Sequence, residues 1–151
     1  MEKPKTERRF LNTIYGESSI DAEILPAVTA LRNAGVETIA SKSGIGEIGV
    51  EDAWGSYVQI ILPSENNLEV ARKIAEFAVK LTSELQKELN NPAISLQLVS
   101  AEKWREDTKT ISMEISLIPV YRLQLTGHVN EEEIRYVWSA VSKRFNRQII
   151  E

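Results

Sequence analysis

The most regular pattern of apolar and polar positions in the chain lies between residues 66 and 90. Apolar side chains recur there at steps of three and four residues, and Glu, Lys and Arg fill many of the positions between them. This spacing predicts a long amphipathic helix over 66–90. Asn66 and Glu69 are placed to form a capping box at its start, and the residues Asn90-Asn91-Pro92 predict its end.

Two shorter helices are predicted on either side of this one. The first begins between Asp21 and Pro26, because proline is tolerated only in the first turn of a helix, and Gly35 predicts its end. The second follows Asn130, a residue type that favours the N-cap position, and its apolar positions line one face as far as Phe145. Both helices are therefore expected to pack one face against a core.

The first residues of the chain give an ambiguous pattern. Phe10 and Ile14 are spaced for one face of a helix, but together with Asn12 they also alternate as in a strand. We predict a helix over 6–15 and a loop over 16–19.

Alternating apolar and polar residues predict the strands. Short strands are expected over 36–41, 57–62 and 94–98. A longer alternation runs over 110–126, and Pro119 falls within it. Because proline cannot donate to a strand ladder, this stretch is either one long bent strand or two segments joined by a bulge.

The order of these elements predicts an α+β fold in a single domain over 1–151, with residues 1–5 frayed. We expect a mixed sheet of four or five strands with helices mainly on one face, a sandwich related to the ferredoxin-like fold. The strand 57–62, the helix 66–90 and the strand 94–98 follow one another through short connections. They predict a βαβ unit with parallel strands and a right-handed crossover.

Composition and charge narrow the function classes. The chain of 151 residues carries a formal net charge of −4, which makes nucleic acid or an anionic membrane an unfavourable partner for the molecule as a whole. It contains no cysteine, so disulfides, thiolate metal sites and cysteine nucleophiles are excluded. No secretory signal or membrane-spanning run is recognisable. We therefore expect a cytoplasmic protein without membrane contact.

The segment 41–57, between two predicted strands, is rich in glycine. Gly44, Gly46 and Gly49 match the pattern G-x-G-x-x-G. The dinucleotide site with this pattern requires a helix that opens directly at the glycines, and here a strand follows, so we exclude it. A P-loop is excluded as well, because its lysine follows the glycines and Lys42 precedes them.

A looser form of anion binding fits the segment 41–57 better. Glycine backbones can turn their N–H groups inward as a nest, Lys42 adds a positive charge, and Trp54 or Tyr57 can stack on a ring. We therefore expect a non-enzymatic small-ligand-binding module, a sensor or a sponge, for a nucleotide or a phosphorylated metabolite. The alternative is a hairpin loop in which the glycines serve turn geometry alone. The predicted ligand-binding residues are Ser41, Lys42, Ser43, Gly44, Gly46, Gly49, Asp52, Trp54 and Tyr57.

Two other function classes stay open. The first is a protein-interaction or self-assembly domain that uses a sheet edge, the helix 66–90 or Trp104. The second, less favoured, is a hydrolase or transferase that uses Asp52, Glu51 and His128. Neither a cofactor nor a metal site is predicted, because His128 is the only histidine and no acidic spacing typical of a metal site accompanies it.

Overall fold

The computed structural model describes residues 8–13, 16–45, 55–62, 67–100, 120–127 and 129–151. These residues form six strands and four helices. In chain order the elements are β1 (Arg8–Thr13), β2 (Gly16–Asp21), α1 (Leu25–Asn33), β3 (Glu37–Lys42), β4 (Ser56–Ile61), α2 (Asn67–Glu88), β5 (Ser95–Ser100), β6 (Val120–Thr126), α3 (Glu131–Arg144) and α4 (Arg147–Ile150).

The three longer helices lie close to their predicted positions. Pro26 lies in the first turn of α1, where its missing N–H costs nothing, and Gly35 follows the helix with a φ of 96°. Asn130 caps α3, because its side chain accepts a hydrogen bond from the Glu133 N–H at 2.8 Å and its own N–H donates to the Glu133 carboxylate at 3.0 Å. α2 covers most of the predicted range, and Asn66 lies outside the described residues.

The start of the chain is not helical. β1 and β2 pair antiparallel, with Arg8 opposite Asp21, so the predicted helix over 6–15 and the predicted loop over 16–19 are both wrong for the residues described. So short a segment makes a marginal helix on its own. Pairing with the residues that follow satisfies its backbone hydrogen-bonding groups instead.

The main sheet has four strands in the order β3-β4-β6-β5. Every ladder between these strands is antiparallel, so the expected mixed sheet is wrong for the described strands. β4 and β5 run in the same direction, because each is antiparallel to β6, but β6 lies between them and they share no ladder. The strand that separates them comes later in the chain, which is why local spacing does not predict this order. The part of 110–126 that precedes β6 lies outside the described residues.

Register across the sheet divides the side chains between two faces. Val58 of β4 lies opposite Leu123 of β6, and both belong to the main hydrophobic core, which α1, α2 and α3 complete. Within this helical layer α1 packs on α3. The alternate positions of the same strands, Tyr57 among them, therefore point to the opposite face, which we call the outer face of the sheet.

Helix α2 protects one edge of the sheet. The Thr82 hydroxyl accepts a hydrogen bond from the Leu96 N–H at 2.8 Å and donates one to the Leu96 carbonyl at 3.0 Å. Gln86 Nε2 donates to the Ile94 carbonyl at 2.9 Å just before β5 begins. These side chains bind backbone groups that would otherwise be open to a further strand. The start of β5 is therefore closed within the fold.

Replacing Thr82 by valine should destabilise the protein by about 1–2 kcal/mol, because valine keeps the shape and leaves the Leu96 N–H and carbonyl without their partner. Urea unfolding of the two proteins measures the difference. Thr82→Ser is the matched control, since it keeps the hydroxyl, and it should lose less stability than Thr82→Val. Equal stability of Thr82→Val and the parent protein would contradict the role assigned to this hydroxyl.

Candidate functional site

Two of the predicted ligand-binding residues meet on the outer face of the sheet. Lys42, at the end of β3, lies directly opposite Tyr57, near the start of β4. Tyr57 lies in turn opposite Gln124 of β6, and Gln124 lies opposite Gln97 of β5. A row made of one cation, one aromatic ring and two amides thus crosses the four strands.

Arg122 of β6 lies on the same face in the neighbouring row, opposite Gln59, and its side chain reaches the Tyr57 ring. Its guanidinium carbon lies 4.2 Å from the centroid of the Tyr57 ring, a cation–π distance. Its Nε donates a hydrogen bond to Gln59 Oε1 at 3.1 Å, and Gln59 is only 7% exposed. Among the described residues, none accepts a hydrogen bond from the two Nη groups. The ring and the amide therefore fix the guanidinium, and its Nη edge can bind an anion.

The backbone near the start of the glycine-rich segment 41–57 is bound by the protein itself. The Ser43 N–H donates to Asp21 Oδ2 at 2.8 Å, in a buried contact. The Ser43 hydroxyl accepts a hydrogen bond from the Ile45 N–H at 3.3 Å, which closes a local turn. The first N–H group of the predicted anion nest is therefore already bound by a carboxylate of the chain.

The two ends of the segment 44–56 meet and are anchored to the core. Gly44 has a φ of 76°, a left-handed value that favours glycine, and a Cβ there would lie 3.4 Å from the Ser56 backbone nitrogen. The Ser56 hydroxyl accepts a hydrogen bond of 2.7 Å from the indole N–H of Trp138. Trp138 is fully buried in α3, so this helix holds the base of the loop in place.

Ser41 faces the core rather than the outer face. It lies opposite Val58, and its hydroxyl oxygen is buried without a hydrogen-bond partner among the described residues. Glu23 also has a buried oxygen, Oε2, without a hydrogen-bond partner among the described residues. Its other carboxylate oxygen, Oε1, lies 3.6 Å from Arg135 Nη1. Ser41 is therefore separate from the surface that Lys42 belongs to.

The remaining predicted ligand-binding residues, together with the residues of the enzyme hypothesis and the tryptophan of the interaction hypothesis, lie outside the described part of the chain. They are Gly46, Gly49, Glu51, Asp52, Trp54, Trp104 and His128. The acid–base set and the rest of the nest therefore stay predictions. Within the described residues, no group of three or more His, Asp or Glu side chains is arranged to hold a metal ion. None of the described helices combines the length and the apolar character that a membrane span needs.

Arg122 and Gln59 are the site residues that the sequence pattern does not single out. Gln59 is two positions from Tyr57 on the same strand, so strand alternation alone places it on the same face. Arg122 is assigned to that face only through its pairing with Gln59 across β4 and β6. Arg122 can thus be assigned to the site only when the pairing of β4 with β6 is known, and the local spacing of residues does not contain that pairing.

Comparison with known proteins adds no relative. No protein-family model, no curated protein and no solved structure matches the chain. The function must therefore be argued from the geometry of the site itself.

Replacing Ser56 by alanine should lower the free energy of unfolding by about 1–3 kcal/mol, because the buried indole N–H of Trp138 loses its acceptor. Chemical denaturation followed by circular dichroism measures this change.

Ser83→Ala is the matched control for Ser56→Ala. It makes the same substitution at an exposed position of α2 and should change stability by less than ~0.5 kcal/mol. If Ser56→Ala unfolds at the same denaturant concentration as the parent protein, this hydrogen bond does not anchor the loop.

Proposed function

We propose that the protein is a non-enzymatic binding module for a small anionic ligand, such as a nucleotide or a phosphorylated metabolite. The ligand would lie on the outer face of the sheet, beside the glycine-rich loop. One observation carries this proposal: two cationic residues, Lys42 of β3 and Arg122 of β6, flank Tyr57 from the two neighbouring strands. A sensor or a sponge needs such a site and no catalytic set.

Arg122 supplies the more specific of the two cationic contacts. Gln59 binds its Nε, and the Tyr57 ring covers one face of its guanidinium. Because the guanidinium is already held in place, little side-chain entropy is lost when an anion binds. Its Nη edge can bind two oxygens of a phosphate or carboxylate in bidentate geometry.

Lys42 and Tyr57 extend the site. Lys42 lies opposite Tyr57 on the neighbouring strand and is a second cationic residue beside the ring, which suits a ligand with more than one anionic group. The Arg122 guanidinium covers one face of the Tyr57 ring, and the other face can stack on a planar ring of the ligand. These contacts together favour a nucleotide over inorganic phosphate.

The sheet topology supports the same assignment. We propose that β4, α2 and β5, with β6 inserted between the two strands, form the split βαβ arrangement of a ferredoxin-like fold. Support comes from the common direction of β4 and β5 on the two sides of β6. In such an arrangement the helices cover one face of the sheet, and on the opposite face Lys42, Tyr57 and Arg122 are half-buried.

A second candidate function is self-assembly through α2. Leu68 and Val79 are 74% and 69% exposed, and at 3.6 residues per turn they fall within about 20° of one another around the helix axis. Arg72 lies between them and forms ion pairs with Glu69 and Glu76. A stripe with apolar residues and charges of both signs can pair with the same stripe of a second copy. The closed edge at the start of β5 favours this helix over a sheet edge.

A thermal-shift screen with ATP, GTP and phosphorylated sugars tests the leading proposal. A matching ligand at about a hundred times its Kd should add about 2.7 kcal/mol of stability and raise the Tm by roughly 5–10 °C. The absence of any shift with every anion would contradict the proposal.

Arg122→Gln should weaken binding of a ligand found in this screen by at least about tenfold, or about 1.4 kcal/mol, because the bidentate contact is lost. Isothermal titration measures the change. Arg72→Gln is the matched control, since it removes the same charge from the exposed face of α2, and it should bind as the parent does. Parent-like affinity of Arg122→Gln would place the ligand elsewhere.

Sedimentation equilibrium tests self-assembly. The parent protein should form a dimer at high concentration, and the double variant Leu68→Lys, Val79→Lys should remain a monomer, because lysines buried without a partner in the interface oppose association. A parent protein that stays monomeric at the highest attainable concentration excludes this second candidate.

A further inference from the structure

A cleft between α2 and the C-terminal helices lies apart from the outer face of the sheet. Its volume is about 340 Å³, near the lower end of the roughly 300–1,000 Å³ range of small-molecule sites. The cleft has an apolar floor and a charged rim. Its floor is formed by Phe77, Leu81 and Ile149, and its rim carries charges of both signs, from Lys73, Glu76, Lys80, Glu84 and Arg144.

The floor of the cleft belongs to the packed interior. Phe77 and Leu81 are buried, and the Phe77 ring meets the Phe145 ring edge to face, with centroids 5.1 Å apart and planes at 87°. Ile149 of α4 is half-buried and packs against the main core. An apolar ligand body placed on this floor gains about 25 cal/mol for each Å² of apolar surface removed from water.

The acidic groups around the cleft are already paired. Arg144 Nη1 donates to Glu84 at 2.9 Å, and Arg144 Nη2 donates to Glu88 at 2.8 Å. The hydrogen bond with Glu88 raises the pKa of Arg144 above its ordinary value, so this guanidinium stays charged and bound within the protein. Glu76 forms an ion pair with Arg72.

Two lysines supply the remaining charge of the rim. Lys73 Nζ donates to the Glu151 carbonyl oxygen at 2.9 Å, beyond the end of α4. Lys80 is exposed and makes no ion pair or hydrogen bond within the described part of the chain. Among the cations of the rim, Lys80 is therefore the one that no described residue pairs, and it is the side chain placed to meet a ligand.

We propose that this cleft binds an amphipathic organic anion, with its apolar body on Phe77, Leu81 and Ile149 and its acidic group at Lys80. A medium-chain fatty acid has this chemistry. The site does not depend on the proposed anion site at Arg122, because the two lie on opposite sides of the sheet.

Isothermal titration of the full chain with decanoate, and separately with decanol, tests the proposal. Decanoate should bind at a single saturable site, and decanol should bind roughly tenfold more weakly, because it lacks the charge that Lys80 meets. Lys80→Gln should reduce the affinity for decanoate to about that for decanol. Lys87→Gln, the same substitution at an exposed position of α2 outside the cleft, should bind decanoate as the parent does.

Two control measurements separate this site from the outer face of the sheet and separate lost binding from lost folding. Arg122→Gln should bind decanoate normally, which separates this site from the one on the outer face. Thermal unfolding of Lys80→Gln without ligand should match that of the parent, which shows that any lost affinity is not lost folding. The proposal is overturned if decanoate shows no saturable binding, if decanol binds as tightly, or if Lys80→Gln retains the affinity of the parent.

Discussion

Two buried hydrogen bonds hold the base of the segment between β3 and β4, and the arrangement of the outer face depends on them. The Asp21 carboxylate accepts from the Ser43 N–H, and the Ser56 hydroxyl accepts from the Trp138 indole. Loss of either partner would leave a buried polar group unsatisfied at a cost of about 1–3 kcal/mol, a sizeable part of the ~5–15 kcal/mol that stabilises a typical domain. The first bond ties β3 to β2 and the second ties β4 to α3. Together they fix how the chain leaves one strand and enters the next.

Because this register is fixed, residues that are neighbours in the sequence take different roles. Some of them serve the structure, and others belong to the candidate ligand-binding site. Ser41 and Lys42 are neighbours in sequence, but Ser41 lies opposite Val58 on the core face and Lys42 lies opposite Tyr57 on the outer face. Ser43 then binds Asp21, so its amide serves the fold. The anion site that we propose therefore rests on side chains of the sheet, Arg122 above all, more than on the backbone of the loop.

The features predicted correctly from the sequence are those with local signals. Proline at a helix start, an asparagine cap and a three-to-four-residue apolar repeat each act within a few residues, and they locate α1, α2 and α3. The strand order and the position of Arg122 depend instead on pairing between distant segments, which local spacing does not contain. The start of the chain has a different cause: its pattern fits a helix as well as a strand, and its pairing with β2 decides between them. The role of Ser43 belongs to the same class, because its partner Asp21 lies 22 positions away. The composition of the segment 41–57 selects Lys42 and Tyr57, and their role in binding stays a prediction.

The most direct measurement is an NMR titration of the protein with ATP that follows both backbone amides and arginine side chains. We expect the Arg122 Nε–H and the backbone amides of Lys42 and Tyr57 to shift with one common dissociation constant. The Ser43 amide should be protected from exchange with solvent throughout, because Asp21 already binds it. Shifts centred on Ser43 and Gly44, with the Arg122 side chain unchanged, would instead show that the loop backbone holds the anion and would contradict a site on the sheet.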